Sequence, residues 1–448
     1  MKLESLPHGG EAQKFFEKLQ NTEPLRSLGR VEQLIGLVME ASGPSSSVGE
    51  ICWVYNATGM HRIQAEVVGF RNDRILLMPL GELQGIGPGS LMVPTGKDFQ
   101  VPVGRSLMGR VLDGLGRPLD QRGQLGAEAQ VPVHREPPDP LRRSRITEAL
   151  STGVRSLDGL LTIGRGQRVG IFAGSGVGKS TLMGMVARDA DADVNVIALV
   201  GERGREVRDF IDKDLGPRGL AKSVVIAATS DQPALIRRQG ALVATAIAEW
   251  FRDQGLTVMF MMDSVTRFAM AQREIGLAIG EPPATKGYTP SVFALLPKLL
   301  ERAGTTSHRG SITGLYTVLV EADDMNEPVA DSVRAILDGH IVLSRDLASQ
   351  NHYPPVDVLD SVSRLMPELA SPEHRAAAAR VRDVLAAYRG ARDLINIGAY
   401  VKGSDRRIDR ALQYVDAVNA YLKQDMNERD NLKSAVEKLL PLAPEAAL

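Results

Sequence analysis

The chain has 448 residues and 48.4 kDa, and at roughly 150 residues per domain this length predicts about three domains with ample core. Its 43% hydrophobic and 24% charged residues exclude global disorder, and 53 Lys and Arg against 54 Asp and Glu exclude a scaffold that gathers polyanions through its bulk field. The single cysteine, Cys52, excludes an internal disulfide framework and a CxxC-type zinc site, whereas glycine is abundant at 44 residues, which asks where the backbone needs room.

The opening residues, MKLESLPHGGEAQKF, lack the apolar stretch of a signal peptide, and no run of about 18 apolar residues follows, so a soluble, cytoplasmic protein is expected. Residues 1–28 are mostly polar, with Phe15, Phe16 and Leu19 able to share one face of a short helix ending before Pro24; a frayed terminus is the alternative. Residues 29–103 change to short strand-like runs, ICWVY (51–55), AEVVGF (65–70), RILLMPL (74–80) and SLMVP (90–94). Turn residues at 56–59, 71–73 and 85–89 separate them, and the near-regular spacing predicts a small β-barrel without a catalytic constellation. HREPPDPLRRSRI (134–146) reads as an irregular connector; its four arginines are compatible with an anion site, but a solvated linker is the plainer reading.

From about Gly164 to Ser361, strand-like runs alternate with helical stretches, as in an α/β domain. The candidates are RVGIFA (168–173), VNVIALV (194–200), SVVIAA (223–228), LTVMFMMD (256–263) and GLYTVLVEA (314–322). They are continuously rather than alternately apolar, which predicts a mostly parallel sheet covered on both faces. After Ser361 the chain turns helical. Ser371-Pro372-Glu373 reads as an N-cap, first-turn proline and first-turn acid of a helix running to about Gly390. Apolar residues at Ile408, Leu412, Val415, Val418 and Leu422, and at Leu432, Val436 and Leu439, continue the helical period.

Ala173-Gly174-Ser175-Gly176-Val177-Gly178-Lys179-Ser180-Thr181 follows one strand candidate and precedes a helical run, which is the context of a phosphate-binding P-loop. Glycines let backbone N–H groups wrap phosphates, and a helix N-terminus adds a favourable dipole. In such a loop Lys179 reaches the β- and γ-phosphates and the Ser180 hydroxyl ligates Mg²⁺. Ala173 stands where the pattern often has its first glycine, and alanine is small enough to serve. Asp263 ends an apolar strand run 84 residues after Lys179, at the edge where ligands bind in α/β folds, and is read as the acid that holds the metal's waters. Glu202, in GERGRE (201–206), follows another strand and is the candidate for activating water; a solvated charged loop is the competing reading of that cluster.

Together these residues resemble a rotary-type ATPase of the ATP synthase β-subunit class, and within it the flagellar type III protein-export ATPases. The resemblance spans nearly the whole chain and rests on FAGSGVGKST (172–181), VGERGREV (200–207), MMDSVTRFAMAQRE (261–274), YPPVDVLDSVSRLM (353–366) and LINIGAYVKGSD (394–405). It implies a partner-binding segment at 1–28, a barrel at 29–103, a RecA-like P-loop ATPase domain at 104–366 and a helical domain at 367–448. The chemistry implied is Mg-ATP hydrolysis, with Glu202 as the base and Arg203 and Glu206 supporting its loop. Arg267 matches the arginine of a D-x-x-x-R element, and Tyr353 matches an aromatic that packs on adenine. Arg364 matches an arginine finger reaching a neighbouring subunit's γ-phosphate, which requires a closed ring, by resemblance a homohexamer.

The partners implied are a regulator or stator-like protein, a central stalk-like protein, export gate membrane proteins, and export chaperones with their cargo, at the inner membrane periphery. Three alternatives stand beside this reading. An injectisome secretion ATPase shares the chemistry, and LINIGAYVKGSD favours the flagellar branch. An ATP synthase catalytic subunit would need a non-catalytic paralogue in its ring. An RNA-stimulated ring ATPase would need exposed aromatics and a basic stripe, yet aromatics are only 4% and the first 100 residues carry neither feature, so no nucleic acid is expected. A non-catalytic nucleotide-binding subunit is disfavoured by the presence of Lys179, Glu202 and Asp263.

Overall fold

The computed structural model describes residues 27–320 and 324–442, which divide into two compact units, one ending at Asp98 and the other beginning at Phe99. The expected helical face at Phe15, Phe16 and Leu19 lies outside the described residues.

The first unit is a closed antiparallel barrel of six strands: β1 (Gly29–Ile35), β2 (Val38–Ser42), β3 (Glu50–Tyr55), β4 (Arg62–Arg71), β5 (Arg74–Pro79) and β6 (Leu91–Asp98). They are ordered β1-β2-β5-β4-β3-β6. Inward side chains, among them Val31, Met39, Val54, Val67, Leu77 and Met92, fill the interior. The β4–β5 hairpin turns through Asn72 and Asp73, both with positive φ, the backbone that matches the twist of paired strands. Cys52 belongs to this core; burial first, and then the Glu50 charge, push its thiol up to about 12, so it is an inert packing residue. The barrel was expected to run to residue 103. It closes at Asp98 instead, because β7 (Gln100–Val103) pairs with β9 (Ala129–Pro132) in a separate two-stranded sheet.

The second unit holds a nine-stranded sheet that begins at one edge with β8 (Val111–Asp113). A short ladder of β10 (Ala149–Leu150) and β11 (Ile163–Gly164) precedes its centre. The central strands are β12 (Arg168–Ala173), β13 (Val194–Val200), β14 (Ser223–Ala228), β15 (Thr257–Asp263), β17 (Ser311–Leu319), β18 (Gly339–Leu343) and β19 (Val356–Ser363), with β16 (Gly304–Thr305) paired to β17. The order is β19-β18-β12-β17-β15-β13-β14-β8. Every pair on that path is parallel except β18–β19, where the last strand runs back along the edge. β13 and β14 are buried along their whole length, as continuous apolar runs require of strands covered on both faces.

Four helices matter for the site: α1 (Lys179–Asp189), α2 (Gly204–Asp209), α3 (Ala234–Asp253) and α4 (Val265–Ala278). Three more, α5 (Pro372–Asn396), α6 (Arg406–Leu422) and α7 (Leu432–Leu439), form the C-terminal region. Ser371 caps α5 as expected, accepting from His374 N, but the helix passes Gly390 and ends at Asn396. Its apolar face and that of α6 join the same core as the sheet.

The 134–146 connector is irregular and mostly exposed, as a solvated linker should be, but two of its arginines tie it to the sheet domain. Arg135 lies 3.4 Å from Asp253 and 3.5 Å from Glu249, and Arg143 donates to the Ala303 carbonyl at 2.8 Å. Beneath them, the buried Arg302–Glu249 pair is bidentate at 2.8 Å, with Arg302 also donating to the Val133 carbonyl. The guanidinium groups at 135 and 143 are thus satisfied by the protein's own acids and carbonyls.

Candidate active site

The site forms at the C-terminal edge of the parallel strands, where β12, β13 and β15 each end in a chemically active turn. After β12 the chain reverses through Gly176 and Gly178, both with positive φ, and enters α1. Gly178 occupies the N-cap position of α1 without any side-chain hydrogen bond, whereas α4, α5, α6 and α7 are capped by Ser264, Ser371, Asp405 and Asn431. The first-turn N–H groups of α1 are therefore left for another acceptor, which is the physical requirement of an anion site. Val177 is buried and anchors the loop, while Ser175 is exposed at its crest.

Lys179 is the charged centre. Its ammonium contacts Asp263 Oδ1 and lies 3.6 Å from Glu202 Oε1. Burial pulls its pKa down, but the two carboxylates outweigh burial and hold it above the ordinary lysine value. Asp263 ends β15 at 3% exposure, and its Oδ1 also accepts from the Thr317 hydroxyl at 2.7 Å. Glu202 follows β13 through Gly201, whose positive φ and position over Arg267 both require glycine: an added Cβ would lie 2.9 Å from Arg267 Cβ. Burial and then the Asp263 charge push Glu202 up to about 7, against the pull of Lys179, and its hydrogen bond to Glu206 adds to the rise. Glu206, which accepts that bond, is held below the usual carboxylate range. A carboxyl poised near neutrality beside a buried lysine is what a general base needs.

A cleft of about 810 Å³ lies over these groups, lined by Gly174, Ser175, Gly176, Gly178, Lys179, Ser180 and Thr181 of the loop and by Glu202, Arg203 and Arg267. Arg203 lies on the cleft wall with its side chain 80% exposed and 3.5 Å from Glu206. Arg267 lies at the cleft with its guanidinium beside Met270, and its buried Nε has no hydrogen-bond partner among the described residues. Met270, inside the 261–274 motif but without a role there, and Arg345, which no motif in the sequence marks, also line this cleft.

A second cavity of about 520 Å³ opens on the other side of Gly178 and Thr181. Tyr353, 42% exposed, forms one wall, with its Cε1 3.5 Å from where a Cβ on Gly178 would stand. The opposite wall, Lys423 to Met426, comes from the chain just beyond α6. Gln424 locks it in place: its N–H donates to the Tyr353 carbonyl at 2.9 Å, its Nε2 to the Gly153 carbonyl, and its Oε1 accepts from Arg155 N. Nothing in the sequence pattern links residue 424 to residue 353. A helix N-terminus with unspent N–H groups, a buried lysine and an adjoining half-aromatic slot together fit a nucleoside triphosphate.

Arg364 is the site residue that the fold keeps away. It follows β19, exposed, and its N–H donates to the Asp338 carbonyl at 3.1 Å. Because β19 runs antiparallel, its start, Val356, pairs with Leu343 near the P-loop edge, while Ser363 pairs with Gly339 at the opposite edge. Eight strand residues separate Tyr353 and Arg364 by roughly 25 Å, so Arg364 does not share its own chain's cleft.

Comparison with known proteins agrees with this layout. Residues 153–363 match the nucleotide-binding domain of the ATP synthase alpha/beta family, residues 31–96 match the beta-barrel domain of that family, and residues 370–440 match the T3SS EscN ATPase C-terminal domain. The flagellum-specific ATP synthase of Bacillus subtilis is 55% identical over 96% of this chain and 99% of its own. The chain belongs to the flagellar and type III secretion ATPase family. It is therefore an ATP hydrolase by family, with a barrel, a nucleotide-binding domain and a helical C-terminal region. The type 3 secretion system ATPase of Xanthomonas euvesicatoria is 50% identical over 94% of this chain and 95% of its own. In structure, the assembled ATPase EscN of the enteropathogenic E. coli type III secretion system superposes with a TM-score of 0.86 at 43% identity, covering 93% of this chain and all of that one. EscN is also known in complex with its central stalk EscO, with a TM-score of 0.85 to this chain. Among the described residues no helix is long and apolar enough to cross a membrane.

Proposed function

We propose that this chain hydrolyses Mg-ATP to energise flagellar type III protein export, as a homohexameric ring whose sites are completed across each interface. The observation that carries the chemistry is the buried Lys179 held between Glu202 and Asp263, with Glu202 raised to about 7. In this reading ATP takes over the Lys179 ammonium, the free N–H groups of α1 cradle the phosphates, and the base enters the slot beside Tyr353. Ser180 and Asp263 would hold Mg²⁺, which would neutralise part of the charge on the phosphates. Glu202, relieved of Lys179, accepts the proton of the attacking water, with Glu206 as the group that shares it. Arg203, on the cleft wall, braces that loop, and Arg267 offers its guanidinium to the departing phosphate. The partner subunit's Arg364 supplies positive charge on the side of the phosphate that the chain's own residues leave open.

The trans assignment rests on distance: an exposed arginine at the far edge of the sheet serves a second subunit. Ring assembly is supported by the likeness to assembled EscN, and a central stalk-like partner by the EscN–EscO complex. A regulator or stator-like protein, membrane gate components, chaperones and cargo follow from the export role, as does a place at the inner membrane periphery. A second reading, injectisome secretion, is favoured by the 50% identical Xanthomonas relative; loss of flagella with intact secretion in a deletion strain supports the first reading, and the reverse supports the second.

The enzymology is tested by mixing. Glu202→Gln and Arg364→Ala subunits are each expected to be inactive alone, while mixed rings regain sites in which an intact Glu202 meets an intact Arg364. With random equal mixing about a quarter of sites are whole, a recovery that a finger acting within its own chain cannot give.

A further inference from the structure

β17 is a strand buried along nearly its whole length, and towards its C-terminal end a valine would pack as well as the residue actually present, Thr317. Thr317 is 0% exposed, and a hydroxyl without a partner there would be costly. Its Oγ1 lies 2.7 Å from Asp263 Oδ1 and 3.2 Å from the Met262 carbonyl oxygen. A hydroxyl has one proton to donate, and the shorter contact, to the charged oxygen, takes it. The placement follows from register: Met262 on β15 pairs with Tyr316 on β17, so the next residue of each strand, Asp263 and Thr317, lie side by side.

The two side chains that pair with Asp263 among the described residues, Lys179 and Thr317, both do so at Oδ1. A carboxylate at a strand end rotates broadly about its last bond, so its two oxygens exchange unless one is held. When Lys179 moves to the phosphates, Thr317 is the only one of these two holds that remains. We propose that Thr317 is a positioning residue for the metal site: its hydroxyl keeps Asp263 Oδ1 engaged and so reserves Oδ2 for the waters of the bound cation. This rests on the reading of Asp263 as the metal carboxylate.

The test is the Mg²⁺-dependent part of nucleotide affinity, measured with a fluorescent non-hydrolysable ATP analogue in Mg²⁺ and in EDTA. Partners that orient a metal ligand are typically worth ~10–100-fold in metal affinity. Thr317→Val is expected to bind the analogue as the native chain does in EDTA and to lose about tenfold of the Mg²⁺ enhancement. Thr317→Ser, which keeps the hydroxyl, is expected to restore it. Thr317→Val with an undiminished enhancement overturns the inference, as does a Thr317→Ser variant impaired as far as Thr317→Val, which would assign the effect to the lost methyl. Asp263→Asn separates the layers: if it keeps the full enhancement, the metal reading of Asp263 fails and this inference with it. If Asp263→Asn loses the enhancement while Thr317→Val does not, only the role of Thr317 fails.

Discussion

The two edges of the central sheet handle charge in opposite ways. At the C-terminal edge Lys179, Glu202 and Asp263 are gathered under cover, each neutralised by another, with two pKa values displaced by burial and by one another. At the N-terminal edge Arg364 stands exposed, its backbone N–H held by the Asp338 carbonyl. One edge is preorganised to receive a substrate and holds its charges at low dielectric, where each is worth more. The other offers a solvated cation that gains strength only when a second surface covers it. On the trans reading, this polypeptide carries a phosphate site lacking one charge and a charge lacking a site.

Four measurements break or sharpen that contrast. The largest effect is expected for Arg364→Ala: turnover at ring-forming concentration falls by ~10³–10⁵, while nucleotide affinity of the dilute subunit is unchanged. A loss of binding in the dilute subunit would mean that the two edges are not independent. Glu202→Gln comes next, with turnover down by ~10²–10⁴ and binding retained, as read by single-turnover hydrolysis beside equilibrium binding. Full turnover in that variant removes Glu202 from the chemistry.

The raised pKa of Glu202 then sets a pH profile. The base works ionised, so kcat/KM should rise about tenfold per pH unit below pH 7 and level off above it. A profile flat from pH 5.5 to 8 would contradict the assignment. The same shift acts on stability with the opposite sense. Glu202 ionises less readily folded than unfolded, so its contribution is present below the unfolded carboxylate range and is lost as pH rises through about 7. The smallest effect is expected at the base slot. Stacking on one aromatic is worth ~1–3 kcal/mol, so Tyr353→Ala should raise KM by roughly tenfold or more and leave kcat near native. A collapse of kcat would show that Tyr353 shapes the phosphate end as well.

Much of the C-terminal edge was legible because its signals are local. Strands buried on both faces read as unbroken apolar runs, and the residues that end or follow those runs stand at the edge where the cleft opens; Asp263 and Glu202 are placed there that way. The P-loop helix is marked by its glycines. What was hidden is whatever the fold brings together over distance. β18 and β19 mix polar and charged residues into their runs and do not stand out, so the antiparallel return that carries Arg364 away from its own cleft is invisible until β19 is seen pairing with β18. Thr317 hides because a threonine in a strand looks like a valine. The Lys423–Met426 wall hides because only the buried amide of Gln424 ties it to Tyr353. The barrel boundary was misread at 103 because β7 is as strand-like as β6, and only its partner, β9, assigns it elsewhere.

β19 has one further consequence. It runs from just after Tyr353 to just before Arg364, so on the trans reading one strand of eight residues joins the base side of one site to the phosphate side of the next. On the trans reading every subunit then owns two halves that it can never join by itself. An open row of subunits always carries one whole site fewer than it has members, and closing the row creates the missing one. Closure would therefore appear as a step in activity per subunit, separate from the gradual rise that assembly alone produces. Hydrolysis traced against ring population by native mass measurement distinguishes that step from a smooth curve.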